Sequence, residues 1–232
     1  MSKQFLGIIV VVILVFVGIF LFTGNKSSGG NKSSGGNSSS LTQHVEGQGK
    51  DGVTLVEYGD YQCPFCGQYY PIVKQVQAEY NEQIHFQFRN FPLVSIHQNA
   101  FAGARAAEAA AQQGKFWQMH DLLYDAQSQW SESGDPTSFF NQYAQQLGLN
   151  ITQFKSDYAS DKVNNLINAD MGQGNKLGIT GTPSFFLDGK QIQVGESVQA
   201  FEKVINAEIA KKAPAASSTS SSSASSTSST TT

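Results

Sequence analysis

The only two cysteines of this 232-residue chain stand at positions 63 and 66, inside VEYGDYQCPFCGQYYP, residues 56–71. A C-x-x-C pair can supply part of a metal site, close a small structural loop, or exchange electrons. Structural zinc takes four ligands. The four histidines, His44, His85, His97 and His120, show no H-x3–5-H spacing, so no metal is expected unless distant ligands converge. A structural staple across so short a loop adds little, because disulfide stabilisation grows with loop length. Redox exchange is the chemistry these residues favour.

Such a pair needs a scaffold, and the flanking pattern supplies one. Gly52-Val53-Thr54-Leu55-Val56-Glu57-Tyr58 has the character of a buried strand, ending at Gly59-Asp60. Pro64 fits the first position of a helix, where a proline loses no hydrogen bond. Phe65, Tyr69, Ile72, Val73, Val76 and Tyr80 then recur by threes and fours, as on one helix face. Pro71 falls inside that helix and is expected to kink it. Ile84-His85-Phe86-Gln87-Phe88-Arg89 alternates and predicts a second strand. The result is a β-α-β unit with the cysteines at the helix N-terminus. Unpaired N–H groups and the positive end of the helix dipole there favour a thiolate at Cys63, and thiolate is the nucleophile of disulfide exchange. Cys66, three residues on, can reach back to resolve a mixed disulfide. Its place in the chain predicts a more buried, less ionised thiol.

A helical stretch follows: QNAFAGARAAEAAAQ (98–112), KFWQMHDLLYDAQ, PTSFFNQYAQQLG and one longer segment, ITQFKSDYASDKVNNLINADMGQGNKLG. Ala-rich 102–111 predicts close helix packing. Phe116, Trp117 and His120 stand at helical spacing and are expected in the core of this insert, and His97 as a structural or capping residue. Strand character returns with Ser184-Phe185-Phe186-Leu187, the turn pair Asp188-Gly189, and Lys190-Gln191-Ile192-Gln193, a hairpin signal. An amphipathic helix over Ser197–Lys212 closes the order β-α-β, helical insert, β-β-α.

Four of these segments, VEYGDYQCPFC, RNFPL, GKFWQMHDLLY and GITGTPSFFLDGK, resemble the DsbA-like branch of the thioredoxin superfamily, and in particular its membrane-tethered thiol:disulfide oxidoreductases. The resemblance covers about residues 45–210. It implies an α/β thioredoxin fold with a helical insertion, about residues 92–176, between the β-α-β and β-β-α halves. It implies that Cys63 attacks and Cys66 resolves, with Pro64 and Phe65 tuning the pair and no cofactor besides the Cys63–Cys66 disulfide. Pro71 matches the kinking proline of the superfamily's active-site helix. Thr182-Pro183 matches its cis-proline loop. On the residues alone X-Pro indicates only an extended or turn dipeptide; the resemblance implies a cis bond facing the cysteines, with the Thr182 backbone pairing an extended client peptide. Glu57, six residues before Cys63, matches the buried acid that exchanges a proton with the resolving thiol. By itself it could equally be a strand-end glutamate in solvent.

The flanks differ in kind. Beyond a short segment, residues 1–4, residues 5–22 form an unbroken apolar run of 18 residues, roughly 27 Å long as a helix and close to a bilayer's thickness. No A-x-A-like cleavage site follows, so a transmembrane anchor is expected. Lys3 on one side and Lys26, Lys32 and Lys50 on the other leave its orientation open. Residues 23–44 read as a flexible Gly/Ser/Asn linker, 45–212 as the domain, and 213–232 as a disordered Ser/Thr-rich tail. Asn-x-Ser/Thr triplets stand at Asn25, Asn31, Asn37 and Asn150; three of the four are expected to reflect the Ser-rich composition, and they imply glycosylation only in a host that performs it. A formal net charge of −3 without a basic stripe argues against nucleic acid.

Structural disulfides belong outside the cytoplasm. The expectation is therefore a single-pass membrane protein, monomeric, with its catalytic domain on the extracytoplasmic side. It would act on unfolded or exported proteins and be recycled by a membrane redox partner. A stabilised Cys63 thiolate favours the reduced form and makes the disulfide an oxidant. The resemblance qualifies this: Pro64-Phe65 places no histidine between the cysteines, unlike the most oxidising relatives, so an intermediate poise is expected. Disulfide reduction or isomerisation, and a tethered peptide-binding or holdase module, stand as alternatives.

Overall fold

In the computed structural model, which describes residues 40–213, five strands form one sheet in the order β1-β3-β2-β4-β5. They are β1 His44–Glu46, β2 Val53–Gly59, β3 Ile84–Asn90, β4 Ser184–Leu187 and β5 Lys190–Ile192. β2 is central and covered on both faces, with Val53 and Leu55 fully buried on one and Tyr58 buried on the other. It pairs parallel with β3 from Val53↔Ile84 to Gly59↔Asn90, and antiparallel with β4. The parallel pair requires a crossover, which helix α1, Pro64–Glu79, provides. The helix carries Pro71 inside it and continues as one element to Glu79. β4 and β5 form a hairpin through Asp188 (φ 47°) and Gly189 (φ 79°). Both turn residues have positive φ, the geometry for which Asp-Gly is suited.

Six helices lie between the two halves: α2 Ala100–Ala111, α3 Phe116–Asp125, α4 Gln127–Trp130, α5 Pro136–Gln146, α6 Ile151–Tyr158 and α7 Asp161–Lys176. The alanines of α2 bury Ala104, Ala106, Ala107, Ala109 and Ala110 and let neighbouring helices approach. Trp130, Phe140, Phe154, Met119 and Leu123 fill the space around them. Phe116 and His120 are buried and Trp117 partly so, their rings packed on one another as expected of insert core. Burial lowers the His120 pKa, keeping the imidazole neutral. On the other side of the sequence, helix α8, Val198–Lys212, starts at Ser197, whose hydroxyl accepts from the Ala200 N–H. Phe201 of α8 meets Phe185 and Tyr69, joining α8 to β4 and α1.

Two expectations change. The domain begins earlier than residue 45, inside what reads as linker. Thr42 is buried, and its N–H and hydroxyl donate to the Asp170 carboxylate at 3.1 and 2.6 Å. His44 opens β1, stacks on Phe116 and contacts Glu108 Oε1 at 2.7 Å. A three-residue strand carries no usable periodicity, and its partners lie far along the chain. The long segment after Asn150 divides into α6 and α7, because Ser160 accepts from the Val163 N–H and starts a new helix. His97 takes the structural role rather than the capping one. Asn99 occupies the N-cap position of α2, while His97 is bound to Asp60.

The apolar run 5–22, most of the linker and the tail beyond Ala213 lie outside the described residues. No helix among the described residues is long and apolar enough to cross a membrane.

Candidate active site

β2 delivers the chain to the site. Gly59 ends it against Phe88, where an added side chain would meet the ring at 2.4 Å. Asp60 to Gln62 then turn the chain so that Cys63 becomes the N-cap of α1 and Pro64 its first residue. Both cysteines are free thiols. Cys66 is fully enclosed, while Cys63 keeps 3% of its surface exposed. Cys63 thus lies at the helix end as expected, but covered rather than open.

The two sulfurs are driven in opposite directions. The Cys66 thiol donates to the Cys63 sulfur and, against the effect of burial, brings the Cys63 pKa down from 9.0 to about 6. The Thr182 hydroxyl and the N–H groups of Cys66 and Phe65 assist. Burial, first, and then the charge forming on Cys63 push Cys66 well above the usual thiol range. This is the pattern of a helix N-terminus, where donors converge on the first sulfur and the second is drawn inward.

Thr182 comes from the far end of the insert, its carbonyl 3.3 Å from the Cys63 sulfur. The Thr182–Pro183 peptide bond is cis. The Thr182 hydroxyl makes no hydrogen bond among the described residues; it lies beside Cys63, whose ionisation it favours. Phe65 stands out at 59% exposure and, with Tyr69, Thr182, Pro183, Gln191 and Val194, lines a groove of about 210 Å³ beside the dithiol.

Glu57 lies on β2 beneath the cysteines and is buried, which removes the solvent alternative. Burial, and next the negative Cys63, raise its pKa from 4.5 to about 8. Its surroundings set it apart from the other buried acids. Asp60 accepts three hydrogen bonds. Glu108 is held by His44 and Asn90, and Asp170 by Thr42, Arg89 and the Asn90 N–H. Glu57 has no hydrogen-bond or ion-pair partner among the described residues. A carboxyl that is buried and unpartnered stays protonated near neutrality and is available to give and take a proton.

Residues 39–207 match the family model described as Thioredoxin. The chain belongs to the thioredoxin family. Its fold is the DsbA-like one within that family. A thioredoxin-like oxidoreductase from Silicibacter pomeroyi DSS-3 is 28% identical, with a TM-score of 0.60 over 73% of this chain and 92% of that one. Alpha-DsbA1 from Wolbachia pipientis is 20% identical, with a TM-score of 0.65 over 74% of this chain and 94% of that one. In sequence the chain is 34% identical over 167 residues to a protein named Na(+)/H(+) antiporter NhaA 3 from Salinispora tropica, a match covering 72% of this chain and 25% of that one. The chain therefore spans about a quarter of the length of the curated relatives it matches.

In this thioredoxin-family chain the insert also fastens the active-site loop, through residues the motif does not reveal. Gln127 Nε2 donates to the carbonyls of Tyr61 and Cys63 at 2.8 and 2.9 Å. Gln62 donates to the Ser131 carbonyl at 2.7 Å and accepts from the Asn99 N–H at 2.6 Å. Asp60 binds Leu93 N–H and His97. Each turn residue from 60 to 63 is thus tied to the insert or to the loop leading into it. In sequence, Asp60, Gln62, Asn99 and Gln127 look like ordinary polar loop or surface positions.

Proposed function

We propose that this protein is an extracytoplasmic thiol–disulfide oxidoreductase, held at the membrane by residues 5–22, that passes the Cys63–Cys66 disulfide to exported proteins. A client thiolate attacks the Cys63 sulfur. The client–Cys63 bond forms, the Cys63–Cys66 bond breaks, and its electron pair leaves on Cys66. The Glu57 carboxyl gives its proton to that thiolate, downhill because Cys66 is the weaker acid of the two. A second client thiolate then attacks the client sulfur of the mixed disulfide and expels Cys63 as thiolate. The client has lost two electrons and gained a disulfide, and the protein holds the two electrons as a dithiol. A membrane redox partner removes them to restore the starting state.

The observation that carries this reading is the opposed ionisation of the two sulfurs. At neutral pH, above the Cys63 value of about 6, the thiolate outnumbers the thiol, which favours the reduced form by on the order of 1 kcal/mol. For a two-electron couple that is roughly 20 mV toward the oxidising side. The amount is modest, in keeping with an intermediate poise.

The groove beside Cys63 supplies room for an extended client, with the Thr182 backbone available for strand-like pairing. Placement outside the cytoplasm is supported by the compartment in which disulfides persist. Attachment to a membrane is supported by the apolar run, and relatives named as Na(+)/H(+) antiporters are in keeping with it. Ion transport is not carried over, since only a quarter of such a relative is matched.

The test is incubation of the oxidised full chain with a reduced dithiol peptide, following peptide oxidation and new protein thiols together. Equal gain of peptide disulfide and protein dithiol is expected, abolished by Cys63→Ala. A wild type that reduces insulin but leaves the peptide reduced would reverse the direction of electron flow.

A further inference from the structure

Asp60 precedes the dithiol by three residues, and two of its groups do separate things. Its backbone N–H donates to the Cys66 sulfur at 3.5 Å. Its carboxylate, on a residue only 1% exposed, is roped on three sides. Oδ1 accepts from the Gln62 N–H at 2.8 Å, and Oδ2 from the Leu93 N–H at 2.9 Å and His97 Nδ1 at 2.7 Å. Two of those donors, Leu93 and His97, stand on the loop between β3 and α2. A rotation of Asp60 that carried its N–H away from Cys66 would break all three bonds.

Cys66 bears charge only in passing. It does so as the leaving group when a client thiolate attacks Cys63, and as the nucleophile when it attacks back. In a site closed to water, a donor already aimed at a developing charge is worth more than one that must be recruited. Glu57, on β2 three residues before Asp60, supplies a proton but no fixed hydrogen bond. The Asp60 N–H is the group that meets the sulfur as the S–S bond opens.

We propose that Asp60 and His97 are positioning residues for Cys66, holding the Asp60 N–H on its sulfur so that the charge released when the Cys63–Cys66 bond breaks is met at once. The inference rests on the exchange reaction proposed above. In that step the client sulfur bonds to Cys63, the electron pair passes to Cys66, and the proton follows from Glu57. His97 acts through its Nδ1 hydrogen, which the carboxylate holds in place, and touches neither sulfur.

The experiment uses the oxidised full chain mixed with glutathione at neutral pH, reading the rate at which the Cys63–Cys66 disulfide opens. Ultraviolet thiolate absorbance against pH reports Cys63 separately. Asp60→Asn keeps size but sets an amide hydrogen against donors, and His97→Phe removes the donor. Each is expected to slow opening about tenfold, the scale of losing a hydrogen bond to a charged group. His97→Asn, which places an amide N–H near the Nδ1 position, is expected to recover most of the rate. The Cys63 titration should stay that of the wild type in all three. Wild-type opening rates in both Asp60→Asn and His97→Phe would overturn the proposal. So would slowing matched by an equal displacement of the Cys63 titration, which would mean general damage. The His97 side chain is at the rim, 16% exposed, so its variants decide the matter even if Asp60→Asn fails to fold. A wild type inert to glutathione would overturn the exchange reaction itself, an outcome distinct from unchanged variants of an active enzyme.

Discussion

The sulfur of Cys63 and the carbonyl oxygen of Thr182 lie 3.3 Å apart although 119 residues separate them in the chain. The contact spans the whole helical insert, so it joins the β-α-β half of the fold to the β-β-α half. The Thr182 hydroxyl at the same place favours thiolate, which leads to the first prediction.

The reduced protein should be more stable than the oxidised one at neutral pH, by on the order of 1 kcal/mol from the Cys63 thiolate. The folded pKa, about 6, lies below the 9.0 of the free thiol. The contribution is therefore fully present above pH 9, falls between 9 and 6, and is gone below 6. Paired denaturant curves of reduced and oxidised protein across that window check it. A difference that does not grow with pH would contradict it.

Glu57 gives the opposite slope. Its folded pKa of about 8 stands above the ordinary 4.5, so its contribution is present below 4.5 and lost as pH rises to 8. Glu57→Gln should gain stability relative to wild type across that interval, by up to about 1.4 kcal/mol per pH unit. It should at the same time slow exchange, because Cys66 loses its proton donor. Denaturation at several pH values, together with the glutathione opening rate, tests both halves.

Roles within the pair separate by trapping. Cys66→Ser leaves Cys63 to form mixed disulfides that nothing within the protein resolves. These should accumulate as thiol-sensitive adducts on non-reducing gels. Cys63→Ser should give few, because Cys66 is fully enclosed. The reverse result would exchange the two roles.

The early start of the domain is testable by truncation. A fragment beginning at Leu41 retains the Thr42–Asp170 and His44–Glu108 contacts and should fold and exchange disulfides with small peptides as the full chain does. One beginning at Gln48 strips partners from two buried carboxylates and should lose several kcal/mol, seen as a large drop in the denaturation midpoint.

Much of this arrangement is legible in sequence because its signals are local. The period-two run at Ile84, the period-three-and-four face from Phe65 to Tyr80, and Asp188-Gly189 between two strands each declare themselves within a few residues. Cys63, Pro64 and Cys66 carry their chemistry in their spacing. β1 does not, because its three residues become a strand only by pairing with Phe86, Gln87 and Phe88 of β3, far along the chain. The same is true of Asp60, Gln62 and Gln127, polar residues that resemble solvated turns until the insert closes over them. Glu57 falls between. Resemblance points to its position, but the lack of any partner, which separates it from Asp60, Glu108 and Asp170, is a property of the folded core.

The register of β1 has a further consequence. β3 runs from Ile84, beside Val53, to Asn90, beside Gly59 at the dithiol end, and His44 pairs with Phe88 near that same end. At the opposite end, Lys212 contacts the Gly52 carbonyl and Asp188. A seven-residue strand separates the two ends by about 20 Å. The described chain therefore enters at the dithiol end of the sheet, through Leu41 and Thr42, and leaves at the other end, at Ala213. Of its two ends, only the N-terminal one lies on the side of the sulfurs.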